Sequence, residues 1–168
     1  DSGEISLYAK EYRLNKTLDY RLTPLSKFEN IFTKIEGIDA YSIRLEQEGL
    51  IATAHKSLGA TLKGISLEKE QHFGQLDEFI TEGEYSFGKG DKGALIGSAL
   101  AKKFHLTLGS RVIFTAQDVT GEINSISFRI SGILKTGNPS IDDNTVFVSM
   151  EKMSKFINVH QSATQIAF

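Results

Sequence analysis

GALIGSALAKKFHLTLGSRV, Gly93–Val112, compresses a strand, a helix, a turn and the start of a second strand into twenty residues. Ala94–Ile96 is a short apolar run of the kind that sits inside a sheet. Gly97 breaks that run, and Ser98 is placed to cap a helix by accepting a hydrogen bond from a free backbone N–H. Leu100, Ala101, Phe104 and Leu108 then fall near helical spacing, with Lys102 and Lys103 turned to water. Gly109–Ser110 stops the segment, and Arg111–Thr115 alternates into a strand. The stretch holds no nucleophile, metal-ligand set or phosphate loop, so it reads as architecture.

On its C-terminal side, Arg111–Ala116 and Ser125–Leu134 are β segments joined by a hairpin tip, Gln117–Asn124. Thr136–Asp143 reads as a loop, Val146–Val148 as a buried strand, and Ser149 as the cap of a helix bearing Met150, Met153, Phe156 and Ile157. That apolar stripe at helical spacing reads as core. Thr164–Phe168 is a further strand. On the N-terminal side, Glu4–Lys10 alternates as a half-buried strand, and a short strand is possible at Tyr20–Leu22. Thr23–Pro24 starts a helix whose face is Leu25, Phe28, Ile31, Phe32 and Ile35, closed by Gly37. Ala40–Leu45, Leu50–Ala54 and Gly59–Ile65 read as strands, the last two divided by a turn at Lys56–Ser57. Leu67–Phe73 reads as a helical turn. Glu82–Gly93, with four glycines, reads as loop.

The 168 residues are enough to bury a sizeable core, and 40% hydrophobic with 24% charged residues is an ordinary globular balance. The net charge of −2 gives no electrostatic footprint for nucleic acid. With no cysteine, disulfides, thiolate catalysis and Cys-ligated zinc are excluded. No apolar run approaches the ~20 residues of a membrane span. The chain opens on Asp1 without a signal peptide, and it is expected to be a domain excised from a longer, anchored protein.

Catalytic and cofactor readings are weak throughout. His55, His72, His105 and His160 have no i,i+3 or i,i+4 pairing of the kind that builds a zinc site. Gly88–Gly93 has the composition of a phosphate loop, but its lysine is not followed by Ser or Thr at a helix start. Ser66–Lys69 and Ser149–Lys152 both fit Ser-x-x-Lys, yet both serines also sit where a helix cap belongs. Asp142–Asp143 with Asp118 or Glu122 lacks the alternating ligands and central Gly of a calcium loop. No catalytic residue, cofactor or metal is therefore assigned.

In order, these pieces resemble the extracytoplasmic domain of ABC transporter permeases related to MacB, LolC, LolE and FtsX. Ile96–Lys103 followed by Leu106–Gly109 is similar to that family's buried strand, Leu-Ala-Lys-Lys-like helix and Leu-x-x-Gly. Phe128–Leu134 is similar to its strand ending in Val-x-Gly-hydrophobic, and Val146–Ser149 with the following helix to its next strand–helix pair. Leu62–Ile65 and Glu82–Gly83 are weaker upstream landmarks. The resemblance implies an α+β fold: a βαβ-type, Porter-like layer (1–65 plus 159–168) with an inserted β-rich, Sabre-like subdomain (66–158). Lipoprotein-exporting members carry a long hairpin that engages a soluble carrier; the matching tip here is short and lacks proline.

The function the resemblance implies is non-catalytic. A periplasmic domain at the inner membrane would couple ATP hydrolysis on a cytoplasmic subunit to handling of a carrier, adaptor or lipoprotein, within a dimeric, membrane-anchored transporter. The lipoprotein-releasing branch is expected first, with MacB-like efflux or FtsX-like mechanotransmission as the alternative. A small stand-alone hydrolase and a structural secreted module are the competing classes. The working surface is expected on the hairpin tip, at Gln117, Asp118, Val119, Thr120, Gly121 and Glu122, with Arg111 at the strand's base. Val119 is expected to be exposed at the end of this stiff arm.

Overall fold

The computed structural model describes residues 6–8, 21–22, 42–158 and 165–167. Its strands are β1 (Ser6–Tyr8), β2 (Ser42–Ala52), β3 (Ser57–Ile65), β4 (Ile80–Gly83), β5 (Gly93–Gly97), β6 (Arg111–Gln117), β7 (Ile123–Leu134), β8 (Thr145–Ser149) and β9 (Gln165–Ala167). The helices are α1 (Leu67–Gly74), α2 (Ser98–Lys103), α3 (Pro139–Asp142) and α4 (Met150–Phe156), with 3-10 turns at Leu76–Phe79 and Lys89–Asp91.

Strand pairing runs from β2 to β3, β8, β5, β7 and β6. β6 then returns to β2 through Leu50–Thr115, Ile51–Phe114 and Ala52–Ile113. These strands close on themselves, which protects their edges from outside pairing. The β3–β8 and β5–β7 pairs are parallel and the other pairs of the ring antiparallel. β4 is added to the end of β7. β9 pairs the first residues of β2 and carries β1 on its other edge. The result is a mixed α/β fold with a sheet-rich core.

The burial pattern explains the continuous apolar runs. Ala94 and Ile96 of β5, with Val146 and Val148 of β8, face one cluster that also takes Leu45, Leu62, Phe114 and Phe128. The alternate residues Leu95 and Phe147 face a second cluster with Ile65, Leu76, Phe87 and Leu134. Both strands are thus covered on both faces, the condition under which a strand loses its polar alternation. Met153, Phe156 and Ile157 join the first cluster, so the α4 stripe is core. Each fully buried side chain of this size contributes roughly 1.5–3 kcal/mol. A buried carboxylate ties α1 to the sheet. Glu70 accepts from Arg44 Nε at 2.7 Å and Nη2 at 3.0 Å, and from Ser42 Oγ at 2.5 Å.

Several local expectations are corrected. Ala40–Leu45 and Leu50–Ala54 are not separate strands; Ser42–Ala52 is one strand of 11 residues. Gly49 within it is required by packing: a Cβ there would lie 2.4 Å from Thr115 O and 2.8 Å from Phe114 Cζ. The turn precedes the expected position, closing with Thr53 N–H to Lys56 O at 2.9 Å, and Ser57 already belongs to β3. Gly97, not Ser98, holds the cap position of α2, and no side chain caps that helix. Ser66 stands before α1 without a capping bond, whereas Ser149 Oγ accepts from Lys152 N–H at 3.1 Å. Leu108 lies beyond α2 and is 46% exposed, so it is no part of a buried helical face. Glu82 and Gly83 are in β4, and the loop after β7 contains α3, capped by Asn138. The helix expected after Thr23–Pro24 lies outside the described residues, as do Tyr20 and the flanks of β1 and β9.

Candidate functional site

The hairpin of β6 and β7 carries the residues singled out in the sequence. Its inward positions, Val112, Phe114, Ala116, Phe128 and Ile130, are buried in the first cluster. Seven register pairs, from Arg111–Arg129 to Gln117–Ile123, hold the two strands together. The scaffold beneath the tip is therefore fixed by both core and ladder.

At the tip the polar groups turn inward. Asp118 N–H bonds Glu122 O at 2.8 Å and Gly121 N–H bonds Asp118 O at 3.1 Å. The Asp118 carboxylate accepts from Thr120 N–H at 2.8 Å, Thr120 Oγ1 at 2.6 Å, Glu122 N–H at 3.1 Å and Asn124 Nδ2 at 2.8 Å. These bonds favour the ionised form. The Thr120 hydroxyl leads them in holding the carboxyl below its ordinary value, against a smaller opposing effect of desolvation. Gln117 Nε2 donates to Gly121 O at 2.7 Å. Gly121 has φ of 87°, which a side chain would resist.

Val119 is not the exposed anchor the sequence led us to expect. It is half-buried, packs against the first core cluster, and its N–H reaches Ile157 O at 3.3 Å. The tip is thereby docked onto the end of α4. Thr120, Gly121, Glu122 and Gln117 are exposed, and Asp118 is buried. Arg111 is exposed at the opposite end of β6, about 20 Å away at the usual rise per residue. The tip residues are brought together; Arg111 is not brought to them.

Sequence reasoning missed an apolar component. Ile123 is 76% exposed beside the tip, and Leu50 and Ile113 are 52% and 40% exposed on β2 and β6. Ile113 sits between Val112 and Phe114, and Ile123 is out of step with Ile126 and Phe128. That phase conflict was the available signal.

The other candidates resolve into structure. His55, His72 and His105 are exposed and distant in sequence, and His160 lies outside the described residues. Among the described residues no group of three His, Asp or Glu side chains is placed to hold a metal ion. Asp142 accepts from Thr136 N–H, Thr136 Oγ1 and Gly137 N–H at 2.8, 2.9 and 3.0 Å, closing its own loop. Lys152 Nζ donates to Ser127 O at 3.1 Å, while only its backbone N–H meets Ser149 Oγ. Burial lowers that ammonium's pKa, but the amine is directed to β7. Lys89–Asp91 forms a 3-10 turn that leads into β5, not a helix start. No helix among the described residues is long and apolar enough to cross a membrane.

Comparison with known proteins adds the family. The model of the MacB-like periplasmic core domain matches residues 11–168. The extracellular domain of the noncanonic ABC-type transporter YknZ from Gram-positive bacteria is similar in fold. The TM-score is 0.65 at 16% identity, covering 98% of this chain and 82% of that one. The periplasmic region of MacB from Actinobacillus actinomycetemcomitans gives 0.67 at 15% identity, covering 98% and 72%. Among curated proteins none matches this sequence.

Proposed function

Because this chain belongs to the MacB-like periplasmic core domain family, we propose that it is the non-catalytic outer part of an ABC permease, moved by ATP hydrolysis on a cytoplasmic partner. The domain stands at the periplasmic face of the bacterial inner membrane. The family match over residues 11–168 carries this reading. Support comes from a closed ring of strands, which suits a body that transmits displacement without deforming. Residues 1–65 with 159–168 form a Porter-like unit and residues 66–158 a Sabre-like one. β2 and β3 join them, since Leu50–Ala52 pair β6 and Thr61–Ile65 pair β8, while Ser42–Arg44 pair β9.

Within this reading an exporter of the MacB type stands ahead of lipoprotein release, reversing the order expected from the sequence. Similar structures include those of MacB and YknZ, and the tip between Gln117 and Ile123 is a tight, self-bonded turn rather than a long arm. Its exposed face, Gln117, Thr120, Gly121 and Glu122 with Ile123, is the contact for an adaptor, carrier or substrate, since loops on rigid scaffolds collect binding residues. The test is to replace the exposed Glu122 and Ile123 by Lys in the full-length permease, leaving Asp118 and the docked Val119 in place. The permease should keep its abundance and lose transport. Wild-type transport at wild-type abundance would overturn the assignment.

A further inference from the structure

A groove between α2 and β4 lies at the other end of β7, about 33 Å from Ile123 at the usual rise per residue. Its volume is about 670 Å³, within the range of sites that enclose a ligand. Buried Ala101 and Ile133 line its inner side, and Lys102, His105 and Lys135 stand around it with Glu82. Among the described residues neither Lys102 nor Lys135 has an ion-pair partner, whereas Lys103, next in sequence to Lys102, pairs with Asp143 at 3.1 Å. Glu82 offsets one of the two lysines, so the lining keeps a net positive charge.

The backbone beside this groove is unusual at His105 and at β4. His105 has φ of 53°. It ends α2 with Leu106 N–H to Ala101 O at 2.9 Å and its own N–H to Lys102 O at 3.1 Å. Glycine is the usual occupant of that helix-ending position, because it adopts the left-handed conformation without strain. Histidine there places an imidazole in the groove at a cost in backbone energy. Secondly, β4 has a strand partner on one edge only among the described residues. An open edge is a template for an added strand, with main-chain bonds giving affinity and alternate side chains specificity. The shortness of β4 and its irregular register between Ile80 and Glu82 guard against pairing between copies.

We propose that this groove binds an extended peptide that pairs with β4 and places an acidic side chain among Lys102, His105 and Lys135. The open backbone edge selects a peptide, and the lysine charge in excess of Glu82 selects its sign. The assignment is independent of the hairpin tip.

To test it, the 168-residue chain is used to select from a phage library of random heptapeptides, in parallel with K102E/K135E. Both lysines are exposed, so the double variant should melt with the wild type. If it does not, K102Q/K135Q takes its place. Selection should enrich alternating sequences containing Asp or Glu. Synthetic copies should bind the variant at least about tenfold more weakly, as expected for a lost charge complement. Hydrogen exchange of the Ile80–Gly83 amides should slow on binding, with no change at 117–123. The proposal is overturned if no peptide is enriched over the variant, or if acid-free peptides bind both proteins equally. It is also overturned if the lysines prove necessary only for binding phosphatidylglycerol vesicles.

Discussion

The two ends of β7 are built on opposite principles. At the Ile123 end, Asp118, Gln117 and Asn124 direct their polar atoms into the turn, leaving an apolar side chain, Ile123, as the most exposed large group. At the Leu134 end, Lys102, His105 and Lys135 surround a groove with no ion pair among the described residues. One end offers fixed shape; the other offers charge. A surface whose polar groups bond one another recognises by fit, and one whose charges are free recognises by complementarity.

The largest expected effect tests what both ends share. Phe114 is fully buried, and its ring meets Phe156 edge-on at a centroid distance of 6.1 Å. Phe114→Ala should cost about 3–5 kcal/mol in urea unfolding. A loss below roughly 1 kcal/mol would mean the ring of strands does not form the common support.

A smaller effect should remain at the tip. Asp118→Asn removes the ionised acceptor of four bonds, so exchange at the Thr120 and Glu122 amides should quicken while the groove amides are unchanged. The pH dependence has a definite sign. The folded carboxyl titrates below its ordinary 3.8, with the Thr120 hydroxyl as the first cause. Its contribution to stability is therefore present above about 3.8 and lost as pH falls through the lower folded value. NMR shifts of those amides should move only in that acid range, and not in the Asn variant. A midpoint at or above 3.8 would show that the turn does not hold the charge.

The smallest effect falls at the groove. His105→Gly should raise stability by up to about 1 kcal/mol, since glycine relieves the positive φ, while weakening the selected acidic peptides. Unchanged peptide binding would separate the histidine from recognition.

How far the sequence could be read follows from the range of the interactions involved. β5–α2 and β8–α4 were legible because an apolar run followed by Gly97 or Ser149 is a local pattern. The continuity of β2 was not, because Gly49 looks like a breaker until β6 is seen pressing on it. Closure of the ring rests on Ile51–Phe114 and its neighbours, a register between distant segments that no local pattern encodes. The tip's position was readable from its flanking alternation, but the docking of Val119 on Ile157 was not. The groove was invisible, since His105, Lys102 and Lys135 are brought to β4 only by the fold.

In the proposed permease this body moves as a unit when ATP is hydrolysed across the membrane. The chain has no cysteine and Ile123 is 76% exposed, so Ile123→Cys accepts a single spin label in a full-length permease otherwise free of cysteine. In the dimeric permease that the resemblance implies, electron–electron distances between the labelled tips of the two copies should differ between the nucleotide-free and the ADP–vanadate-trapped states. A second pair placed within one domain, at Ile123→Cys and Ser57→Cys, should keep one distance in both states. Superimposable tip-to-tip distributions in the two states would contradict the claim.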